Sequence, residues 1–305
     1  MLGLGLSIPC AAVRGNVSLE AQVASILRKY GTDAHGYLPG IGVINGLTAG
    51  NYIDSAGTTA ATVDNPVGLV LDAAGSVGAE LTTNGDFSNG LTGWTLNANA
   101  TGIATVVGGV LTYAAPHGDY AEVKQLSVCT IGKAYKVEFD VVTAGTNVNT
   151  ITVQCGRATI MAGVGGLFTV GRKSAIVYAT NPDGFSISCR ADATIAIDNV
   201  SVKEVTGIHA IQSTTANKPV LRQTSGRYWW DMVDGTDLLT ATYPAGWESV
   251  TTIDAAPTGQ ATLTAQNIVG TYAITTDTYG RFVFKTITAS ELATIQTFAN
   301  RLAGL

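Results

Sequence analysis

The clearest pattern in the chain lies between Leu81 and Val205, where apolar and polar residues alternate over many short runs. Residues 134–141 (AYKVEFDV) and 151–153 (ITV) are examples, and Gly and Asn residues separate such runs from one another. A period of two places alternate side chains of a strand in a core and in solvent. The number of such runs predicts an antiparallel β-sandwich over this part of the chain.

Two short helices are predicted near the two ends of the sequence. The first begins after the capping residue Ser18, has apolar residues at helical spacing, and stops at Gly31. The second begins at Thr288, which forms a capping box with Glu291, and it ends before Gly304. Each helix has one apolar stripe, which indicates packing against one partner surface.

Three separated signatures within residues 81–205 carry a family resemblance. They are NGDFSNGLTGW at 84–94, GKAY at 132–135 followed by VEFDV, and IDNVSV at 197–202. In this order they resemble the carbohydrate-binding module found beside xylanases and in bacteriophage appendages. The resemblance implies a jelly-roll sandwich that binds sugar.

A second resemblance involves residues on both sides of this module. Before the module stand residues 51–60 (NYIDSAGTTA) and 67–72 (VGLVLD). After it stand residues 209–222 (HAIQSTTANKPVLR), 226–231 (GRYWWD) and 234–237 (DGTD). Together they resemble one continuous motif of phage tail and virion proteins with a concanavalin-like or laminin-G-like β-fold. The resemblance implies that the module interrupts this second fold, which is tolerated where the termini of the inserted domain lie close together.

The expected organisation therefore has three parts. Residues 1–17 form an extended N-terminal arm, residues 18–76 plus 206–305 form a discontinuous virion-anchoring β domain, and residues 77–205 form the inserted module. The fold class is mostly β: an antiparallel sandwich (jelly roll) within a reduced, discontinuous β-sandwich domain, with short N- and C-terminal helices. The second sandwich is called reduced because few residues follow Asp237 to supply strands.

Composition supports a β protein and narrows the range of partners. Among 305 residues, 46% are hydrophobic, 13% are charged and 36 are glycine, which favours short strands and tight turns over a helical enzyme core. A formal net charge of -5 leaves no basic footprint, so nucleic acid is not an expected partner. No apolar run approaches the ~18 residues needed to cross a bilayer, so membrane insertion is not expected either.

The N-terminal arm is apolar but differs from a signal peptide. It lacks a basic start and is interrupted by Gly3, Gly5 and Pro9. We interpret it as an extended arm that docks on a neighbouring subunit. The expected assembly is a homo-oligomer, with a trimer favoured, in contact with other virion proteins at the surface of a virion.

Sugar recognition needs aromatic ring faces for the apolar side of a pyranose and polar groups for its hydroxyls. Trp94, Tyr135 and Phe139 are assigned to the core by their positions in the pattern. The candidates for a sugar site surround the turn at Pro116–Gly118 and are Tyr113, His117, Asp119 and Tyr120, with Arg157 and Arg190 as polar partners. The alternative is that these are ordinary exposed loop residues without a function.

The resemblance to the sugar-binding module also implies a possible structural calcium ion. The matching positions are Asn84, Asp86 and Asp198, whose hard oxygen ligands suit calcium. The family often has Glu where this chain has Ser88, which removes one carboxylate. The alternative is that Asp86 and Asp198 bind backbone amides in turns. No cofactor is required by this interpretation.

The four cysteines, Cys10, Cys129, Cys155 and Cys189, do not have the spacing of a metal site. We interpret them as buried thiols, with a disulfide between Cys155 and Cys189 as the open alternative.

Catalysis has little support in the sequence, because the three histidines do not occur in a known catalytic motif. The leading hypothesis is a non-enzymatic phage virion protein of a fibre, spike or tail, which binds bacterial surface polysaccharide for adsorption to the host cell. A purely structural head or tail decoration protein is the alternative. A secreted polysaccharide-degrading enzyme is a third possibility.

Overall fold

The structure is a computed structural model that describes residues 18–39, 50–55, 57, 59–100, 103–114, 119–146, 151–156, 158–162, 169–190, 193–232, 235–257 and 259–305. The predicted N-terminal arm, residues 1–17, lies outside the described residues.

The elements fall into three consecutive groups. The first group is α1 (Leu19–Tyr30), β1 (Ala34–Tyr37), β2 (Asn51–Tyr52) and β3 (Leu69–Val70). The second group is β4 (Val77–Glu80), β5 (Thr95–Ala98), β6 (Ala104–Val107), β7 (Val110–Ala114), β8 (Tyr120–Gln125), β9 (Ala134–Ala144), β10 (Thr152–Cys155), β11 (Ala158–Ala162), β12 (Gly171–Tyr178), β13 (Phe185–Arg190) and β14 (Thr194–Val205). The third group is β15 (Ala210–Ile211), β16 (Val220–Thr224), β17 (Arg227–Asp231), β18 (Leu239–Tyr243), β19 (Val250–Ala256), β20 (Gly259–Gln266), β21 (Gly270–Ile274), β22 (Gly280–Phe284) and α2 (Ala289–Ala303).

Both predicted helices are present, with the predicted caps. The Ser18 side chain accepts a hydrogen bond from the backbone N–H of Ala21, and α1 is followed by Gly31. The Thr288 side chain accepts from the backbone N–H of Glu291, and Gly304 ends α2 in the left-handed conformation that glycine adopts easily. The helix predictions are confirmed.

The discontinuous domain is a sandwich of two antiparallel sheets. One sheet has the order β1-β22-β19-β20, and the other has the order β2-β3-β15-β18-β21. A separate two-stranded sheet, β16-β17, lies beside them. The core of this domain includes Tyr243 on β18, Trp230 on β17 and Trp247 in the loop between β18 and β19. On the opposite side of the first sheet, α1 and α2 pack against apolar residues such as Phe282 and Phe284. Strands alternate between these two cores because successive side chains point to opposite faces.

The inserted module is a second antiparallel sandwich. We call β11-β10-β13-β8-β5 the open sheet, and β12-β9-β14-β7-β6, with β4 paired to β14, the packed sheet. Between them lies a core with Trp94, Tyr135 and Phe139, all buried as predicted. The predicted fold class, mostly β with antiparallel sheets and two helices, is confirmed.

The chain enters and leaves the module at neighbouring positions. Val77 on β4 pairs with Val205 on β14, and just outside the module Val70 pairs with Ala210. Residues before and after the module thus share one sheet of the discontinuous domain. A mixed cluster, consisting of Tyr52, Leu69, Leu71, Ala134 and Val205, packs one end of the packed sheet against that domain.

The cysteine contacts in the structure differ from the Cys155–Cys189 disulfide that the sequence left open. Cys155 lies with its sulfur 2.7 Å from the sulfur of Cys129, whereas Cys189 directs its thiol at the carbonyl of Ala193. All three are buried and unbonded. The interpretation as buried thiols is confirmed for these three cysteines. The alternative of a Cys155–Cys189 disulfide does not fit, because Cys155 pairs with Phe185 on β13, four residues away from Cys189.

Within the described residues, neither helix has the length and apolar character of a membrane span.

Candidate functional site

The outer face of the open sheet is polar because its strands alternate. Along β8, Ala121, Val123 and Gln125 are buried, while Tyr120, Glu122 and Lys124 are half-buried. The same alternation on β10 and β13 buries apolar residues inward and leaves polar residues outward. One side of this sheet therefore forms core, and the other presents hydrogen-bonding groups.

A groove with a volume of about 320 Å³ lies at one end of this outer face. Its lining residues come from three neighbouring strands and two adjoining loops, and they are Glu122, Lys124, Leu126, Gln154, Asp183, Gly184 and Ser186. The volume falls at the lower end of the range of small-molecule sites, about 300–1,000 Å³. Most of the lining is polar, so the groove suits a ligand with many hydroxyl groups better than an apolar one.

An ion pair is part of the groove lining. Lys124 Nζ is 3.1 Å from Glu122 Oε2, and the two side chains retain 29% and 19% of their exposure. A pair this accessible contributes little to stability, typically about 0–1 kcal/mol, so its groups remain available to a ligand. It places one donor and one acceptor side by side on the sheet.

A stacked pair continues the same row of side chains. Tyr120 and Arg190 are partners in the register of β8 and β13, and the Arg190 guanidinium lies 4.9 Å from the Tyr120 ring centroid. Partial burial, and then the nearby Glu122 carboxylate, raise the pKa of Tyr120, which keeps its hydroxyl protonated as a donor. Arg190 thus restrains a ring next to the polar groove.

The predicted sugar-site residues are only partly brought together. Tyr120 and Arg190 meet on the outer face, and Asp119 directly precedes β8. His117 and Arg157 lie outside the described residues.

Tyr113 does not belong to this surface. It is fully buried between the sheets, and its hydroxyl donates to the carbonyl of Ile187 at 2.9 Å. Burial raises the pKa of Tyr113 well above its ordinary value. The assignment of Tyr113 to a sugar site is corrected, because alternation along β7 places its ring in the core with Leu111.

Sequence reasoning missed most of the groove. Glu122, Lys124, Gln154, Asp183 and Ser186 were not selected. A partial signal existed, because the polar positions of residues 120–125 and 185–190 alternate with apolar ones. That signal identifies outward positions but not which strands are neighbours.

Two of the predicted calcium ligands are engaged in a turn. Asn84 donates its amide hydrogens to the carbonyls of Gly90 and Thr92, and its Oδ1 accepts from the backbone N–H of Asn89. One oxygen of Asp86 accepts two hydrogen bonds from Ser88. These contacts fit the alternative interpretation, in which the polar side chains form hydrogen bonds within the turn.

The third predicted ligand, Asp198, lies near two other carboxylates. Burial raises the pKa of Asp198, and the charges of Asp140 and Asp86 raise it further, against a hydrogen bond from the Asn199 backbone. Across the described part of the chain, no group of three or more His, Cys, Asp or Glu side chains is placed to hold a metal ion. Calcium binding by Asn84, Asp86 and Asp198 stays a prediction.

The fold and groove define a β protein of two sandwiches with a polar groove on one sheet. No protein-family model and no curated protein sequence matches the chain.

Among solved structures, the N-terminal CBM22-1–CBM22-2 tandem domain of Xyn10C from Paenibacillus barcinonensis is similar at 11% identity and a TM-score of 0.29, covering 70% of this chain and 94% of that chain. The adhesin domain of Epf from Streptococcus pyogenes is similar at 11% identity and a TM-score of 0.29, covering 66% and 86%. At these TM-scores, neither similarity bears on the function of this chain.

Proposed function

We propose that this protein binds carbohydrate in the groove on the open sheet. The observation that carries the proposal is the groove itself, which places Glu122, Lys124 and Gln154 together on the outer face. A carboxylate accepts, an ammonium donates and an amide does both, which matches the paired donor and acceptor character of sugar hydroxyls. The restrained ring of Tyr120 lies at the adjoining end of the same row.

A site of this kind is expected to be weak on its own. The groove is small and open to water, and its ion pair must exchange water for sugar hydroxyls. Several copies of the chain in one assembly would raise the overall affinity through avidity. A homotrimer, favoured on the sequence, would supply such copies.

The role we propose is that of a non-enzymatic phage virion protein of a fibre, spike or tail, which presents the module to bacterial surface polysaccharide. Its support is the resemblance of residues 54–72 and 209–222 to phage virion proteins. In this proposal the discontinuous domain anchors the chain to other virion proteins. The apolar contact between Leu71 and the module's Ala134 region would then orient the groove relative to the anchor.

The second candidate is a purely structural decoration protein. The observation that favours it is the same buried cluster of Tyr52, Leu69 and Val205, which joins the module to the discontinuous domain. A module held this way can serve as a rigid spacer without a ligand.

Two carboxylates in the groove, Glu122 and Asp183, raise the question of glycoside hydrolysis. That reaction needs one carboxyl group kept protonated near neutral pH, usually by an apolar setting. Glu122 does not lie in an apolar setting, because its carboxylate is 3.1 Å from Lys124 Nζ in a partly exposed ion pair. This contact supports the non-enzymatic proposal.

The test is a glycan array of bacterial surface polysaccharides probed with the full-length chain displayed on a multivalent support. We expect binding that weakens in Glu122→Gln, which removes the groove's carboxylate. Glu138→Gln is the matched control, because Glu138 forms an equivalent ion pair with Lys136, at 3.2 Å, on the packed sheet. Absence of binding across the array would leave the structural role, and release of shortened glycans would indicate an enzyme.

A further inference from the structure

Two buried thiols meet at the edge of the module core. Cys129 lies between β8 and β9, and Cys155 is the last residue of β10. Their sulfur atoms are 2.7 Å apart, and the two residues are 5% and 0% exposed. Both belong to the core cluster between the open and packed sheets.

This approach is closer than the contact distance of two unbonded sulfur atoms. A metal ion bridging them would need further ligands, and among the described residues no third His, Cys, Asp or Glu completes such a group. A weak thiol hydrogen bond would hold the sulfurs farther apart. The two thiols are unbonded, but their 2.7 Å separation exceeds the roughly 2.05 Å length of a disulfide by so little that a small side-chain movement would bring the sulfurs to bonding distance.

We propose that Cys129 and Cys155 form a disulfide when the chain is exposed to a small-molecule disulfide such as oxidised glutathione. The thiolate of one cysteine attacks oxidised glutathione, forming a mixed disulfide and releasing one glutathione thiol. The second cysteine then attacks the protein sulfur of that mixed disulfide and releases the other glutathione thiol. The two protein thiols are oxidised, and one glutathione disulfide is reduced to two thiols.

The bond would link the two sides of the groove. Leu126 lies in the segment between β8 and Cys129, while Gln154 precedes Cys155 on β10, and both line the groove. A link between Cys129 and Cys155 therefore ties the two sides of the groove together from beneath. This inference does not depend on what the groove binds.

Burial determines when the reaction is fast. The neighbouring Cys129 thiol and burial raise the pKa of Cys155, so its reactive thiolate is scarce in the folded chain. Exchange with glutathione is therefore expected to be slow in the native state and faster during folding, when both thiols are exposed. The oxidant belongs in the refolding buffer.

The test refolds the full-length chain from denaturant in oxidised glutathione and, separately, in a reducing agent. After alkylation of free thiols under denaturing conditions, peptide mapping without reduction should show a linked Cys129–Cys155 pair in the oxidised sample alone. Recovery of both cysteines as alkylated thiols from the oxidised sample would overturn the proposal. So would a linked pair that joins Cys155 to Cys189.

Matched variants separate this bond from general effects of oxidation. Cys189→Ser removes another buried thiol of the same core and should leave the linked pair in place. Cys155→Ser should abolish it. Thermal unfolding should occur at a higher temperature in the oxidised than in the reduced sample for the unmodified chain and for Cys189→Ser, with no difference for Cys155→Ser. If Cys155→Ser does not fold, the two samples of the unmodified chain still decide the outcome.

Discussion

The buried carboxylate of Asp72 accepts a hydrogen bond from the backbone N–H of Ile208 at 3.1 Å, across the point where the module interrupts the discontinuous domain. Asp72 also accepts from the backbone N–H groups of Gly36 and Ala74, and its own N–H donates to Nδ1 of His209. One side chain therefore joins β1, the segment that enters the module and the segment that leaves it.

Replacing Asp72 should destabilise the discontinuous domain. Asp72→Ala removes the acceptor of the buried Gly36 N–H and of the part-buried Ile208 N–H. We expect a loss of about 3 kcal/mol in the free energy of unfolding, measured by urea denaturation. Asp64→Ala is the control, because Asp64 is 70% exposed in its ion pair with Arg222 and should cost about 0–1 kcal/mol. Equal losses in the two variants would contradict the role given to Asp72.

The stability of the folded chain should decrease as the pH is lowered, because His209 is buried in its neutral form. Its Nδ1 accepts from Asp72 and its Nε2 faces the carbonyl of Val205, so the neutral ring fits and a proton on Nδ1 does not. Burial lowers the pKa of His209 below 6.5, against the attraction of Asp72. The unfolded chain therefore takes up this proton first, and stability is complete above about pH 6.5 and decreases as the pH falls from there towards the folded-state pKa.

The measurement is the urea midpoint at neutral pH and at about pH 5, above the range in which most carboxylates titrate. His209→Gln should show a smaller decrease between the two conditions than the unmodified chain. An unchanged decrease would assign the effect to groups other than His209.

Substitution of Tyr113 should lower the stability of the module without changing glycan binding in the groove. Tyr113→Phe leaves the carbonyl of Ile187 without its donor inside the module core, and we expect a loss of about 1 kcal/mol in the free energy of unfolding. Glycan binding should not change, since the ring has no exposed surface. A loss of binding at unchanged stability would restore Tyr113 to the site.

Arg190 should contribute to glycan binding by holding the Tyr120 ring in place. A cation–π contact at an accessible site is worth about 0.5–1 kcal/mol, so Arg190→Ala should weaken glycan binding by about two- to fivefold, measured by titration of the full-length chain. The matched control is Arg172→Ala, an exposed arginine of the packed sheet that pairs with Asp140. If both substitutions weaken binding equally, net charge rather than the stacked pair is responsible.

Local features of the fold could be predicted from the sequence because they depend on neighbours in the chain. The caps at Ser18 and Thr288, and the burial of Tyr135 and Phe139, follow from spacing alone. The same alternation places Tyr113 in the core, so its nearness in the sequence to His117 is no guide to its exposure.

The groove and the cysteine contact could not be predicted in this way. Gln154 lies beside Ser186 because β10 pairs with β13, and Cys155 meets Cys129 because the loop after β8 folds beneath the sheet. Such relationships come from strand order and register, which depend on contacts between distant residues. Alternation shows which side of a strand is buried but not which strand is its neighbour.

The pairing of Val77 with Val205 has an evolutionary consequence. The two ends of the module lie on adjacent strands, about 5 Å apart in the sheet, so a short turn could replace everything between them. Recombination at this place can then delete the module, or exchange it for another with similarly spaced ends, without rebuilding the remaining sandwich. If the module binds glycan as proposed, one such event would exchange the ligand specificity while keeping the rest of the chain.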